Sequence, residues 1–113
     1  MSGATRQPEA VTAPATVEQE ETHTRTVPPY HVILRNDDFH SFEFVINVLR
    51  KAVGCDHPRA FQLTEEAHTR GRSIVWTGPK EVAEFKVEQI RTFHETRLDG
   101  AKLGPLDCDI EPA

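Results

Sequence analysis

Tyr30-His31-Val32-Ile33-Leu34-Arg35-Asn36-Asp37-Asp38, with Ser41 to Val53 close behind it, is the stretch whose reading decides the fold. Val32, Ile33 and Leu34 form a short apolar run rich in β-branched side chains, and Pro28 and Pro29 ahead of it oppose a helix, so residues 30–35 read as a strand. Asn36, Asp37 and Asp38 end the run, because short polar side chains bond nearby backbone and favour turns and helix caps. The period then changes. Phe42, Val45, Ile46, Val48, Leu49, Ala52 and Val53 recur at three- and four-residue spacing, Glu43 sits in the first turn and Gly54 stands at the stop, which predicts a helix over 41–53. Ser is a better N-cap than His, so either Ser41 caps this helix one residue after His40 or the cap is weak.

Toward the C-terminus, Asp56 can cap a second helix with Pro58 in its first turn, running through Phe61, Leu63 and Ala67 to Gly71. Arg72 to Thr77 reads as a second strand around Ile74-Val75-Trp76, and Gly78-Pro79 as the turn after it. A third helix is expected from about Pro79 to Arg97, with Val82, Phe85, Gln89, Ile90 and Phe93 as its buried stripe, followed by a loop over Gly100 to Pro105. Leu106-Asp107-Cys108-Asp109-Ile110 alternates apolar and acidic, as a strand with one face on a core does. The order β-α-α-β-α-β predicts an α+β domain: a two-layer sandwich with a three-stranded sheet.

Toward the N-terminus the composition changes. Met1 to Pro29 has no Leu, Ile, Phe, Trp, Tyr or Cys and holds Pro8, Pro14, Pro28 and Pro29. Such a stretch cannot bury enough apolar surface to offset the entropy of ordering it, so residues 1–29 read as a disordered extension and 30–113 as the folding unit.

Of the 113 residues, 13 are basic and 18 acidic, for a net charge of −5. That balance argues against a nucleic-acid surface. No apolar run approaches the roughly 18 residues a membrane span needs and no secretory signal is visible, so a cytoplasmic chain is expected. Cys55 and Cys108 form no CxxC pair and are expected to be reduced. Neither an H-E-x-x-H nor a C-x-x-C pair exists, so no metal and no cofactor are expected. Ser41 and Ser73 lack a G-x-S-x-G context, and no constellation supports an enzyme.

Polar chemistry concentrates in Asn36, Asp37 and Asp38, with His40 at the start of the first helix and His68 near the end of the second. Several acceptors beside an apolar helix start suit a cation that carries a hydrophobic group, as a free α-amino terminus does. From the residues alone, a plain turn and cap, with His68 as a surface helix residue, is the simpler reading.

Asn36-Asp37-Asp38, Glu43-Phe44-Val45, Val48-Leu49, His68-Thr69-Arg70-Gly71-Arg72, Glu81 to Val87 and Leu106 to Ala113 together resemble the ClpS family, adaptors of the Clp protease. The resemblance covers essentially all of residues 30–113. It implies the same β-α-α-β-α-β fold and a non-enzymatic adaptor that acts as a monomer. Such an adaptor binds proteins beginning with Leu, Phe, Tyr or Trp, and passes these N-degrons to the N-terminal domain of a ClpA- or ClpC-type AAA+ unfoldase. The implied α-amino contacts are Asn36, Asp37 and His68. The implied side-chain pocket is Asp38, His40, Phe42, Val45, Thr64, Ala67 and Leu106, and the implied unfoldase-docking surface includes Glu81 and Lys86. The extension would engage the unfoldase during hand-off.

Four pocket positions depart from the family pattern. His40 stands where Thr is common, Phe42 and Thr64 where Met is common, and Ala67 where Val is common. Phe42 adds bulk on one wall while Thr64 and Ala67 remove it from another and make it more polar. Losing two adaptable Met side chains predicts a shifted or narrowed preference among N-terminal residues. The alternative is an unfoldase-binding modulator that has lost N-degron recognition.

Overall fold

A computed structural model of the chain describes residues 27–113, and the expected extension lies outside the described residues up to residue 26. Strand β1 (Tyr30–Arg35) leads through the acidic turn to helix α1 (Phe42–Val48), which runs on into a π-helical turn, Leu49–Val53. Helix α2 (His57–Arg70), strand β2 (Arg72–Gly78), helix α3 (Lys80–Arg91) and strand β3 (Cys108–Pro112) complete the α+β order. Among the described residues, the first strand in sequence is the central one. The sheet runs β2-β1-β3, with both pairings antiparallel: Arg35 faces Arg72 on one side, and Tyr30 faces Pro112 on the other.

Local chemistry sets most boundaries. Ser41, and not His40, caps α1, its Oγ accepting from the Phe44 N–H at 3.1 Å. Asp56 caps α2 in the same way through the Arg59 N–H, and Gly71 ends it at φ 93°, a left-handed conformation that only glycine adopts without strain. Gly54 does the same after the π turn, at φ 91°.

Alternation along β1 sends Val32 and Leu34 into the core with Val45, Ile46, Val48, Leu49, Leu63 and Ile90. Each such buried aliphatic side chain stabilises the fold by roughly 1.5–3 kcal/mol. The opposite face carries Ile33 paired with Ile74, and it is flanked by the cross-strand ion pairs Arg35–Asp109 and Arg72–Glu111. These pairs are partly exposed, and solvent-screened pairs of this kind contribute little to stability.

Two expectations about the third helix are corrected. It ends at Arg91, with Thr92 at its C-cap, rather than at Arg97. Residues beyond it turn into a small hairpin in which Thr96 bridges Lys102, the Leu103 N–H donates to the Glu95 carbonyl at 2.8 Å, and Gly100 takes φ 89°. The buried stripe is Ala83, Val87 and Ile90, whereas Val82 is exposed and Phe85 is 57% exposed. Small Ala83 lets α3 approach the sheet, which turns its larger apolar neighbours outward. The last strand begins at Cys108 rather than Leu106, but Leu106 and Cys108 are both buried, as the alternation requires.

Candidate functional site

The end of β1 is held on both sides. The Arg35 N–H donates to the Asp107 carbonyl at 2.9 Å, and the Asn36 N–H to the Gly71 carbonyl at 3.0 Å. The second bond sets Asn36 beside the last turn of α2, which carries His68. Chain segments distant in sequence thereby meet at one point.

The turn after Asn36 is organised by Asp37. Its Oδ1 accepts the Phe39 N–H at 2.9 Å and the His40 N–H at 2.8 Å, and its Oδ2 lies 2.8 Å from the His40 ring Nδ1. Burial by itself would push the Asp37 carboxyl up, yet the two backbone N–H donors and the His40 ring outweigh it and hold the group below the usual carboxylate range. Asp37 is therefore ionised near neutrality. Its side chain is 17% exposed, so the charge sits at the rim and not in the core.

Behind the turn opens a cavity of about 160 Å³. Asn36, Asp37, Asp38 and His68 stand at its polar end, and His40, Phe42, Val45, Thr64, Ala67 and Leu106 complete the ten residues named from sequence, all of which line it. Val45, Thr64, Ala67 and Leu106 are buried and form an apolar floor. Phe42 stands edge-on to His68, with ring centroids 5.4 Å apart, and to Phe61 at 6.1 Å, so it spans from α1 to α2. Thr64 makes the floor less polar than expected, because its hydroxyl donates to the Ala60 carbonyl at 2.8 Å within its own helix.

Leu34 and Arg35 also line the cavity and were not among the residues named from sequence. The inward alternation of Leu34 was the signal available for it. Arg35 carried none. Its guanidinium is committed to Asp109, at 3.1 Å.

Glu81 and Lys86 lie apart from the cavity, on α3. Glu81 is exposed in the first turn. The Lys86 Nζ sits over the Trp76 ring, 5.4 Å from its centroid, and within 3.5 Å of the Ala52 carbonyl, so it also ties α3 to the π turn. Among the described residues no three His, Cys, Asp or Glu side chains converge to hold a metal ion, and no helix is long and apolar enough to cross a membrane. Cys55 and Cys108 are both free thiols.

Taken together, the site offers hydrogen-bond acceptors and negative charge at one end and an apolar space for one side chain at the other. A ligand that is a cation attached to a hydrophobe satisfies both.

Residues 25–109 match the family model described as ATP-dependent Clp protease adaptor protein ClpS. The chain is 43% identical over 95 residues to the ATP-dependent Clp protease adapter protein ClpS of Aromatoleum aromaticum, covering 84% of this chain and 88% of that protein. It is 40% identical over 100 residues to the corresponding protein of a Nostoc species, covering 86% and 97%. Among solved structures, it is similar to Agrobacterium tumefaciens ClpS2 bound to L-phenylalaninamide. The TM-score is 0.63 at 28% identity, over 76% of this chain and 98% of that one. With its strand, acidic turn and capped helix in the family's order, the chain belongs to the ClpS family of Clp protease adaptors.

Proposed function

We infer that this protein is an N-end-rule adaptor: it binds proteins whose first residue is a bulky hydrophobe and delivers them to a ClpA- or ClpC-type unfoldase for degradation by the Clp protease. The observation that carries this reading is the cavity itself, about 160 Å³, with ionised Asp37 at its polar end and Val45, Ala67 and Leu106 in its floor. A free N-terminal amine is a cation with three donors, and an acetylated or mid-chain residue is not. Charge-assisted bonds from that amine to Asp37 and Asn36 are worth roughly 1.5–3 kcal/mol each, and burial of one Leu or Phe side chain adds about the same. After the cost of association, affinity falls in the micromolar to sub-micromolar range, which suits a carrier that must release its load. The L-phenylalaninamide bound to the Agrobacterium relative has this chemistry, a free amine next to an aromatic side chain.

In this reading Asn36, Asp37 and His68 hold the amine, and the remaining lining residues hold the side chain. Glu81 and Lys86, with the exposed Val82 and Phe85 beside them, form the face that docks on the unfoldase N-terminal domain. The adaptor works as a monomer in the cytoplasm, catalyses nothing itself and needs no cofactor. Residues 1–29 serve as a tether during hand-off. With Phe42 and Thr64 in place of two flexible side chains, the walls of the cavity adapt less, which favours a narrowed preference among N-terminal residues.

Fluorescence anisotropy with peptides differing only at residue one tests the assignment. Peptides beginning with Phe or Leu bind, and N-acetylation weakens them by at least about tenfold. Equal binding of acetylated and free peptides overturns the amine site; equal affinity for Leu, Phe, Tyr and Trp overturns the narrowed preference. A modulator without N-degron recognition would bind the unfoldase and none of the peptides.

A further inference from the structure

His40 meets two acceptors at once. Its Nδ1 lies 2.8 Å from the Asp37 carboxylate, its Nε2 lies 2.7 Å from the Gly104 carbonyl, and its side chain is only 6% exposed. A neutral imidazole has one N–H and one lone pair, so it satisfies one of these acceptors and turns a lone pair on the other. The imidazolium donates to both. Phe44 is stacked on the ring, with centroids 5.2 Å apart and planes at 19°, and an aromatic face attracts a cation through its quadrupole.

We propose that His40 is a proton-dependent latch for ligand binding: when charged it ties the Asp37 carboxylate to the Gly104 carbonyl and holds the cavity wall at Leu106 in place, and when it loses a proton it releases Gly104. This rests on the reading of the cavity as an N-terminus site. Gly104 is an exposed residue of the segment between the Thr96–Lys102 hairpin and buried Leu106, and the His40 bond fastens that segment to the amine-binding turn. A second tie, the Ser41 N–H donating to the Glu95 carboxylate at 3.0 Å, does not involve His40, so release loosens the wall without unfolding it.

The other charged groups around the ring are Asp38 on the same turn, Arg35 at the end of β1 (engaged with Asp109), His68 on α2 and Glu95 in the hairpin. A charged His40 also repels the incoming ammonium. That repulsion is reduced because the ring lies 2.8 Å from the Asp37 carboxylate, and with Asp38 beside it the turn keeps a net negative charge while Asp37 remains an ionised acceptor for the ammonium. The supported wall therefore decides the sign.

Dissociation constants for a Phe-initiated peptide, measured from about pH 5.5 to 7.0 on the full chain and on His40→Gln, test the latch. In this range the peptide amine stays largely charged, and every other group is common to both proteins, so the ratio of the two constants isolates His40. At the acid end the variant binds roughly tenfold more weakly, and the ratio falls toward one as pH rises. In the peptide-free wild-type protein, NMR shows both His40 ring nitrogens protonated at the acid end, and the backbone amides of Gly104 and Leu106 shift as His40 titrates. A ratio below one, a ratio constant with pH, or Gly104 and Leu106 amides that ignore the titration overturns the proposal. If no peptide binds at any pH, the N-terminus reading fails, and the NMR titration still decides whether the latch exists.

Discussion

The acidic turn and helix α3 solve opposite problems. The turn from Asn36 to Ser41 has no repeating backbone hydrogen bonds. Its shape is set by the Asp37 carboxylate, which takes two backbone N–H groups and a histidine ring. Helix α3 is regular from Lys80 to Arg91 and buries only Ala83, Val87 and Ile90, leaving Glu81, Val82 and Phe85 in solvent. One region gathers polar groups around a space the size of one side chain; the other spreads mixed chemistry over a convex face. The difference teaches that a small domain can hold a carrier's two tasks apart. On the proposed reading the ligand end is the enclosed, charged turn, and the docking end is the open face of α3.

The largest expected effect tests that separation at the turn. Asp37→Asn keeps an oxygen acceptor for the backbone N–H groups but removes the charge, so affinity for a Phe-initiated peptide drops at least tenfold, on the order of one charge-assisted hydrogen bond. Unfoldase binding, measured on the same sample by anisotropy or calorimetry, is unchanged. A parallel loss of both would erase the distinction between the two regions.

The reciprocal change is smaller. Glu81→Ala weakens unfoldase binding severalfold, as loss of an exposed interfacial charge does, and leaves peptide affinity intact. Lys86→Ala is expected to do more, because it also removes the ammonium from the Ala52 carbonyl and the Trp76 ring; a urea melt reads that extra cost as about 1 kcal/mol.

Acid sharpens the contrast further. The Asp37 carboxyl titrates below the usual range in the folded state, so its stabilising contribution is complete above that range and is lost as pH falls through it. Urea midpoints of wild type and Asp37→Asn should therefore differ at neutral pH and converge below about pH 4. Midpoints that stay apart in acid would show that the carboxylate does not hold the turn.

The smallest effect lies in the core that both regions share. Burial pushes the Cys108 thiol up to about 11, and burial also raises that of half-buried Cys55. Native protein at neutral pH should accordingly alkylate slowly at both, and more slowly at Cys108, as peptide mass spectrometry after timed iodoacetamide treatment would show.

The contrast also explains how far sequence reading reached. β1, α1, α2 and β2 were legible because their signals are local: prolines before Tyr30, Ser41 and Asp56 as caps, Gly54 and Gly71 as stops. The end of α3 was not, since no glycine or proline stands near Arg91 and the apolar spacing runs on through Phe93. Its buried stripe was misread because Ala83, a weak hydrophobe by sequence, is fully buried, while Phe85 faces solvent. The π turn after Val48 leaves no mark on composition. At the site, the cavity residues were found through a family resemblance carried by short motifs. The bond between His40 and Gly104 joins positions far apart in the chain and is visible only once the hairpin has folded back.

The placement of β1 has a consequence for biosynthesis. Among the described residues it is the first strand to leave the ribosome and the central one in the sheet, and its second neighbour, β3, is the last strand made. Pairings of such long sequence separation form late in folding, because the chain between them must be ordered first. A nascent chain that already exposes Asn36 and Asp37 still lacks Leu106. On the proposed reading it cannot capture a ligand before Leu106 and β3 have been made, and every copy able to load cargo is one whose sheet has closed.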